Sequence, residues 1–293
     1  MARDIYQEIT DKIVVQLEAD PGAWQKSWRL LGVNGSPRRE NGESYRGVNA
    51  VILACQCRAN PFWLTYNRAT ALGGQVARGE KATTVVFFKP LVVKDTADAT
   101  GEASKTIPLL RHFSVFNAEQ VDGLPERFFP KPVEVAQEER IAAVDAYINA
   151  TGSVVTHGGD RACYIPSRDE IRLPEFSQFV DAVAYYGVSL HEHVHWTGNE
   201  KRCDRNLKNA FGGQDYAKEE LVAEIGAAFL CGKLGLSPEP RLDHAQYLLS
   251  WLKVLKDDKK AIFRAAAAAQ VAVDYLDALQ PSNVETPQLE EAA

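Results

Sequence analysis

The run Leu190-His191-Glu192-His193-Val194-His195-Trp196-Thr197-Gly198, which contains HExxH, constrains this chain more than any other feature. On an α-helix, residues four apart lie one above the other on one face, about 6 Å apart, so His191 and His195 can close on a single metal ion. Glu192 sits next to the first of them, placed to take a proton from an activated water. Upstream, Phe176, Val180, Val183, Gly187, Leu190 and Val194 recur at helical spacing, and Gly198 follows as a stop. The fold must therefore present this helix to a partner that completes a metal site. His193 points off the metal-facing stripe, and His157, in a His-Gly-Gly-Asp turn, reads as a loop residue.

Two common solutions for a third ligand make different demands on the sequence. HExxHxxGxxH needs a histidine at position 201 and a later Met-turn, but position 201 is Lys201 and the only methionine is Met1. The other solution takes a glutamate from a later helix, and the run from Tyr216 to Leu230 offers one. Glu220 and Glu224 share a face with Ala223, Ala227 and Cys231, while Leu221, Val222, Ile225 and Phe229 cover the apolar side. The favoured division has Glu220 bind metal and Glu224 accept the N–H of a ligand histidine, with the reverse assignment open. The expected ion is Zn2+ or another divalent transition metal such as Mn2+. Tyr185, Tyr186 and Tyr216 are equal candidates for stabilising an oxyanion.

Charge is distributed unevenly. The net charge is −6, yet between Pro21 and Pro90 there are ten Lys or Arg against three Asp or Glu, and from Glu126 onward 18 basic residues face 26 acidic ones. Differently charged halves suggest different partners. In the basic half, aromatic residues interleave with cations: Trp24 with Lys26 and Arg29, Tyr45 with Arg46, Trp63 and Tyr66 with Arg68, Phe87 with Lys89. Single-stranded nucleic acid is held by this combination, with bases stacked on rings and phosphates neutralised by Lys or Arg. The candidate contacts are Trp24, Lys26, Trp28, Arg38, Arg39, Tyr45, Arg46, Asn49, Trp63, Tyr66, Arg68, Lys81 and Lys89.

Elsewhere the pattern predicts an α+β chain. A helix from Ile5 to Glu18 and a mixed α/β stretch lead to two strands, Val85 to Val93 and Thr106 to Phe116, joined by a polar tip. Pro and Gly punctuation from Asp122 to Pro132 marks a boundary. A helix from Glu138 to Ala150 and a small antiparallel sheet precede the HExxH helix, and an edge strand there suits pairing with an extended peptide. The expected domains are 1–125 and 126–280, with 281–293 a disordered acidic tail. Five cysteines without CxxC argue against a disulfide framework or a thiolate zinc site. Neither a signal peptide nor an apolar run of membrane-spanning length is visible, so the expected location is cytoplasmic, with no membrane partner.

Several strings together resemble the ArdC-type antirestriction proteins of conjugative plasmids. They are Tyr6-Gln7-Glu8-Ile9-Thr10-Asp11, Tyr45-Arg46-Gly47-Val48-Asn49, Trp63-Leu64-Thr65, Gly79-Glu80-Lys81, the HExxH run through Gly198, Tyr216 to Glu224, and Ser250-Trp251-Leu252. The resemblance runs from about Ile5 to Leu276. It implies an N-terminal single-stranded-DNA-binding domain, shared in kind with plasmid TraC-type primases, and a zincin-like metallopeptidase domain. It further implies His191, His195 and a glutamate of the second helix as ligands, Glu192 as base, and a role in protecting incoming plasmid DNA from host restriction during conjugation. The protein substrate is unknown, with a host restriction component as one candidate. One departure from the family pattern is Asn199, where such sequences often carry His.

Overall fold

The computed structural model describes residues 4–19, 35–94, 104–130, 137–207, 213–237 and 244–281. Two compact units interleave along the chain. Met1–Ile5, Pro37–Tyr45 and Arg58–Lys131 make the first, and Tyr6–Ser36, Arg46–Cys57 and Pro132–Ala293 the second. The helices Ile5–Ala19 and Val48–Ala54 thus precede most of the first unit in sequence but, from Tyr6 onward, pack within the second. Their ties are specific: Thr10 Oγ1 donates to the Lys259 carbonyl at 2.8 Å, and the Gly47 N–H donates to Gln270 Oε1 at 3.1 Å.

The first unit is built on short strands and one long ribbon. Strand β1 (Trp63–Leu64) pairs with β4 (Ser104–Asn117), β2 (Gln75–Val76) with β5 (Val121–Asp122), and β3 (Thr83–Lys94) with β4, all antiparallel. The ribbon β3–β4 runs in unbroken register from Thr83↔Val115 to Lys94↔Ser104, as its β-branched and aromatic residues favour. Its tip, residues 95–103, lies outside the described residues. At its base Leu64, Ala69, Ala118, Val121, Leu124 and Phe128 form the core. A Cβ on Gly74 would lie 2.7 Å from Val121 Cγ1, so only glycine lets that turn close onto the core.

The second unit carries a three-stranded sheet of β6 (Val154–His157), β7 (Cys163–Ile165) and β8 (Glu170–Leu173), in the order β6-β8-β7. The sequence predicts an antiparallel sheet, and β7–β8 is indeed a hairpin, but β6 pairs with β8 in parallel, so the sheet is mixed. The connections explain this. A tight turn with Asp169 at φ 52° forces β7 and β8 antiparallel. The Gly158-Gly159 loop, by contrast, carries the chain past β6 and lets β8 return beside it.

Five helices complete the unit: Gln137–Asn149, Ala182–Thr197, Gln214–Leu234, His244–Asp257 and Ala261–Ala278. The HExxH helix starts at Ala182, later than the hydrophobic spacing from Phe176 predicts. The Asp181 carboxylate accepts the Ala184 N–H at 2.7 Å and fixes the first turn, while Phe176–Gln178 is a separate 3-10 turn. Every residue of the next helix from Glu220 to Gly232 is buried. It is a central helix, packed by the HExxH helix and by the alanine-rich Ala261–Ala278. No helix of the described residues is long and apolar enough to cross a membrane.

Candidate metal centre

The two helices that carry the motif approach closely at one point. A Cβ on Gly226 would lie 2.8 Å from Val194 Cγ2, so the HExxH helix and the Gln214–Leu234 helix meet where one of them has no side chain. The approach brings the polar stripe of each against the other. Glu220 Oε2 lies 3.4 Å from His191 Nε2, and Glu220 Oε1 lies 3.5 Å from His195 Nε2. One ligand atom from each of the three falls within 4.8 Å of the others. Bonds of about 2.0–2.2 Å from a tetrahedral ion would separate neighbouring donors by roughly 3.3–3.6 Å, which the two carboxylate–imidazole separations match.

Outside these three, each imidazole faces a second carboxylate. His195 Nδ1 lies 3.1 Å from Glu219 Oε1, a hydrogen-bond distance, and His191 Nδ1 lies 3.7 Å from Glu224 Oε2. Glu219 in turn is gripped by Arg205, whose Nε and Nη2 donate to its two oxygens at 3.0 and 2.9 Å. Arg205 also donates to Thr197 Oγ1 and the Val194 carbonyl, at 2.9 and 2.6 Å, which ties the clamp to the end of the HExxH helix. Imidazoles oriented in this way present a fixed nitrogen to a metal. Sequence reasoning missed both Glu219 and Arg205. Glu219 reads as a surface acid beside Glu220, and Arg205 sits in an irregular segment whose path no periodicity predicts.

The electrostatics are those of a cation pocket. Burial alone would push the His195 pKa down, but hydrogen bonds to Glu219 and Glu220 carry it up to about 10. Burial opposes ionisation of Glu220, yet its hydrogen bonds with His191 and His195 hold it well below the usual carboxylate range. For Glu219, burial is likewise outweighed, first by His195 and then by Arg205.

Glu192 is buried at 5% exposure. The Cys163 thiol on β7 is pushed up by its own burial and next by the Glu192 charge, in keeping with the packing of that strand against the HExxH helix. His193 turns away from the centre: its Nδ1 lies 2.6 Å from the Ser189 carbonyl and its Nε2 2.9 Å from Ser153 Oγ. Of the tyrosines, the Tyr185 hydroxyl lies 2.9 Å from His157 Nε2, and Tyr186 donates to Asp145 at 3.2 Å. Tyr216 is half-buried at the start of its helix. His157 closes strand β6 instead of lying in a loop.

The nominated nucleic-acid contacts scatter. Trp24, Lys26 and Trp28 lie outside the described residues. Tyr45 and Trp63 are 5% and 2% exposed, so neither ring offers a face to a base in this conformation. Arg39 lies 3.3 Å from Glu43, Arg46 2.5 Å from Asp274 and Arg68 2.9 Å from Glu40. Arg38 has its Nε buried with no hydrogen-bond partner among the described residues, and Asn49 is half-buried. Tyr66, Lys81 and Lys89 are exposed.

Comparison with known proteins agrees with this geometry. Residues 3–116 match the N-terminal domain of anti-restriction factor ArdC, and residues 142–268 match a zincin-like metallopeptidase family. A protein of Escherichia coli named DNA primase TraC is 39% identical over 99% of this chain, but the chain spans only 28% of that protein's length. The uncharacterized protein y4eC of Sinorhizobium fredii is 39% identical over 94% of this chain and 92% of its own. The metal-free crystal structure of antirestriction ArdC from plasmid R388 superposes with a TM-score of 0.78 at 40% identity, covering 94% of this chain and 98% of that one. The Mn(II)-bound structure of the same protein superposes with a TM-score of 0.76. This chain belongs to the ArdC family of antirestriction proteins, with an ArdC-type N-terminal domain followed by a zincin-like metallopeptidase domain.

Proposed function

We propose that this protein protects plasmid DNA from host restriction during conjugation, binding single-stranded DNA through its N-terminal domain and acting on a protein through a gluzincin-type metal centre. The observation that carries the catalytic half is the convergence of His191, His195 and Glu220 from two packed helices, with Glu192 one residue from the first ligand. Those three would hold Zn2+ or Mn2+, the latter being the ion bound by the R388 relative. When bound, such an ion supplies Lewis-acid polarisation of a carbonyl and acidifies water. Glu192 is the group that accepts the proton and returns it to the leaving amine. Glu219 and Arg205 hold His195 in place, and Glu224 faces the outer nitrogen of His191. Strand β7 is an edge of its sheet among the described residues, so an extended peptide could pair with it beside Glu192.

The test is Glu192→Gln. The variant should keep its metal and lose about 10²–10⁴-fold in peptide cleavage. Unchanged cleavage would remove Glu192 from the mechanism. A second reading rests on the acid-poor basic stretch between Pro21 and Pro90: a protein that protects DNA by binding it, with a structural metal. Antirestriction that survives Glu192→Gln but not loss of DNA binding would favour that reading.

A further inference from the structure

The buried rings of Tyr45 and Trp63 leave open which rings could receive bases, and the β3–β4 ribbon offers others. Residues directly opposite in an antiparallel pair, and every second residue along a strand, share one face. One face therefore carries Val85 and Phe113, then Phe87 and Arg111, then Lys89 and Leu109. Val85 is fully buried at the base, yet Phe87, one pair further along this face, is 45% exposed, so the ribbon leaves the core within two residues. The Phe87 and Phe113 rings lie 5.9 Å apart, tilted by 57°, and Arg111 stands opposite Phe87.

The charge on the two strands of this ribbon is one-sided. Its strands, 12 and 14 residues long, contain Lys89, Lys94, Lys105 and Arg111 and not one Asp or Glu, in a chain with 39 acids among 293 residues. Neither Lys89 nor Arg111 enters an ion pair among the described residues, whereas Arg39, Arg46 and Arg68 each have a carboxylate nearby.

We infer that the face bearing Phe87, Phe113, Lys89 and Arg111 is where single-stranded DNA lies, with bases stacked on the two phenylalanines and phosphates against the two cations. The inference rests on the proposed single-strand binding and assigns it a place. An exposed half-ring next to cations that enter no ion pair among the described residues suits an unstacked base and its phosphate, since the bases of a duplex are already stacked on one another. An apolar protein partner would leave both cations without a counter-charge, and strands that carry cations and no Asp or Glu favour a polyanion.

The test is fluorescence anisotropy of the full chain with a labelled oligothymidylate of about 20 nucleotides, enough to cover one such groove. Phe87→Leu with Phe113→Leu keeps apolar bulk and removes the rings, and should weaken binding by about 5-fold or more for each ring. Phe87→Tyr, which keeps a ring, should bind within about 3-fold of the original. Lys89→Ala and Arg111→Ala should each lower the slope of log affinity against log salt by about 0.7. If the original protein binds and the double leucine variant binds equally, the ribbon is not the site, while single-strand binding stands. If Phe87→Tyr loses as much as the leucine variant, stacking is not what holds the strand. If the original protein does not bind at all, the single-strand reading itself fails.

Discussion

At the helix pair, His191, Glu192 and Glu220 are 7%, 5% and 7% exposed, whereas on the ribbon Phe87 and Phe88 are 45% and 50% exposed. The two regions invert the usual rule, with charge inside and apolar rings outside, and each inversion is where we propose a binding function. Buried polar groups must find partners, and here Glu219, itself held by Arg205, hydrogen-bonds the outer nitrogen of His195, while Glu224 faces that of His191 at 3.7 Å. Such a place suits a small ion whose coordination demands fixed geometry. Half-exposed rings on a two-stranded ribbon suit a flexible polymer that can adapt to them.

The contrast breaks most visibly at the centre. His191→Ala should cost more than the about 10–100-fold in metal affinity typical of outer partners, as measured by competition with a chelating dye. A smaller loss would mean that the ion, if bound, sits elsewhere. Glu219→Gln should fall within that 10–100-fold range, because it replaces the charged acceptor at the outer nitrogen of His195 with a neutral amide and leaves the three candidate ligands in place. Gly226→Ala sharpens the same point through packing. The added Cβ meets Val194 at 2.8 Å, and forcing the helices apart should cost about 1–3 kcal/mol in thermal or denaturant unfolding. An unaffected stability would show that the helices can yield.

A smaller effect concerns His193, which sits between the ligands but belongs to the protein interior. Burial pushes its pKa from 6.5 down to about 4, with only the Ser189 carbonyl opposing. The folded protein therefore keeps it neutral where an unfolded chain would take up a proton. The stability it confers is complete above pH 6.5 and is lost as pH falls toward 4. In metal-free protein, His193→Gln should make the melting temperature fall less steeply over that interval. An unchanged slope would place the acid sensitivity in another group.

The two regions also differ in how far sequence alone reveals them. The period of 3.6 dictates that His191 and His195, or Glu220 and Glu224, share a face, so these candidate residues were legible before any packing was known, while the choice between the two glutamates was not. The closing contact at Gly226 was not, because a glycine inside a helix says nothing of which neighbour approaches it. Arg205 was hidden for a related reason: the segment after Gly198 is held by side-chain and turn contacts, such as the stacking of Arg202 on Trp196 at 3.9 Å. In the first unit, Trp63 and Phe87 look alike as aromatic residues beside cations. Only tertiary burial separates the 2% exposed tryptophan of the core from the half-exposed phenylalanine of the ribbon. The ribbon's extent was readable from its β-branched run. The parallel partner of β8 was not, since the path of a glycine loop has no sequence period.

The central claim is that Glu220, and not Glu224, completes the metal site. It is tested most directly by titrating Mn2+ or Zn2+ into Glu220→Gln and Glu224→Gln side by side. Glu220→Gln should lose more than about 100-fold in affinity, and Glu224→Gln, which alters only the carboxylate facing the outer nitrogen of His191, about 10-fold. The reverse order, with Glu224→Gln losing the ion and Glu220→Gln keeping it, would contradict the account.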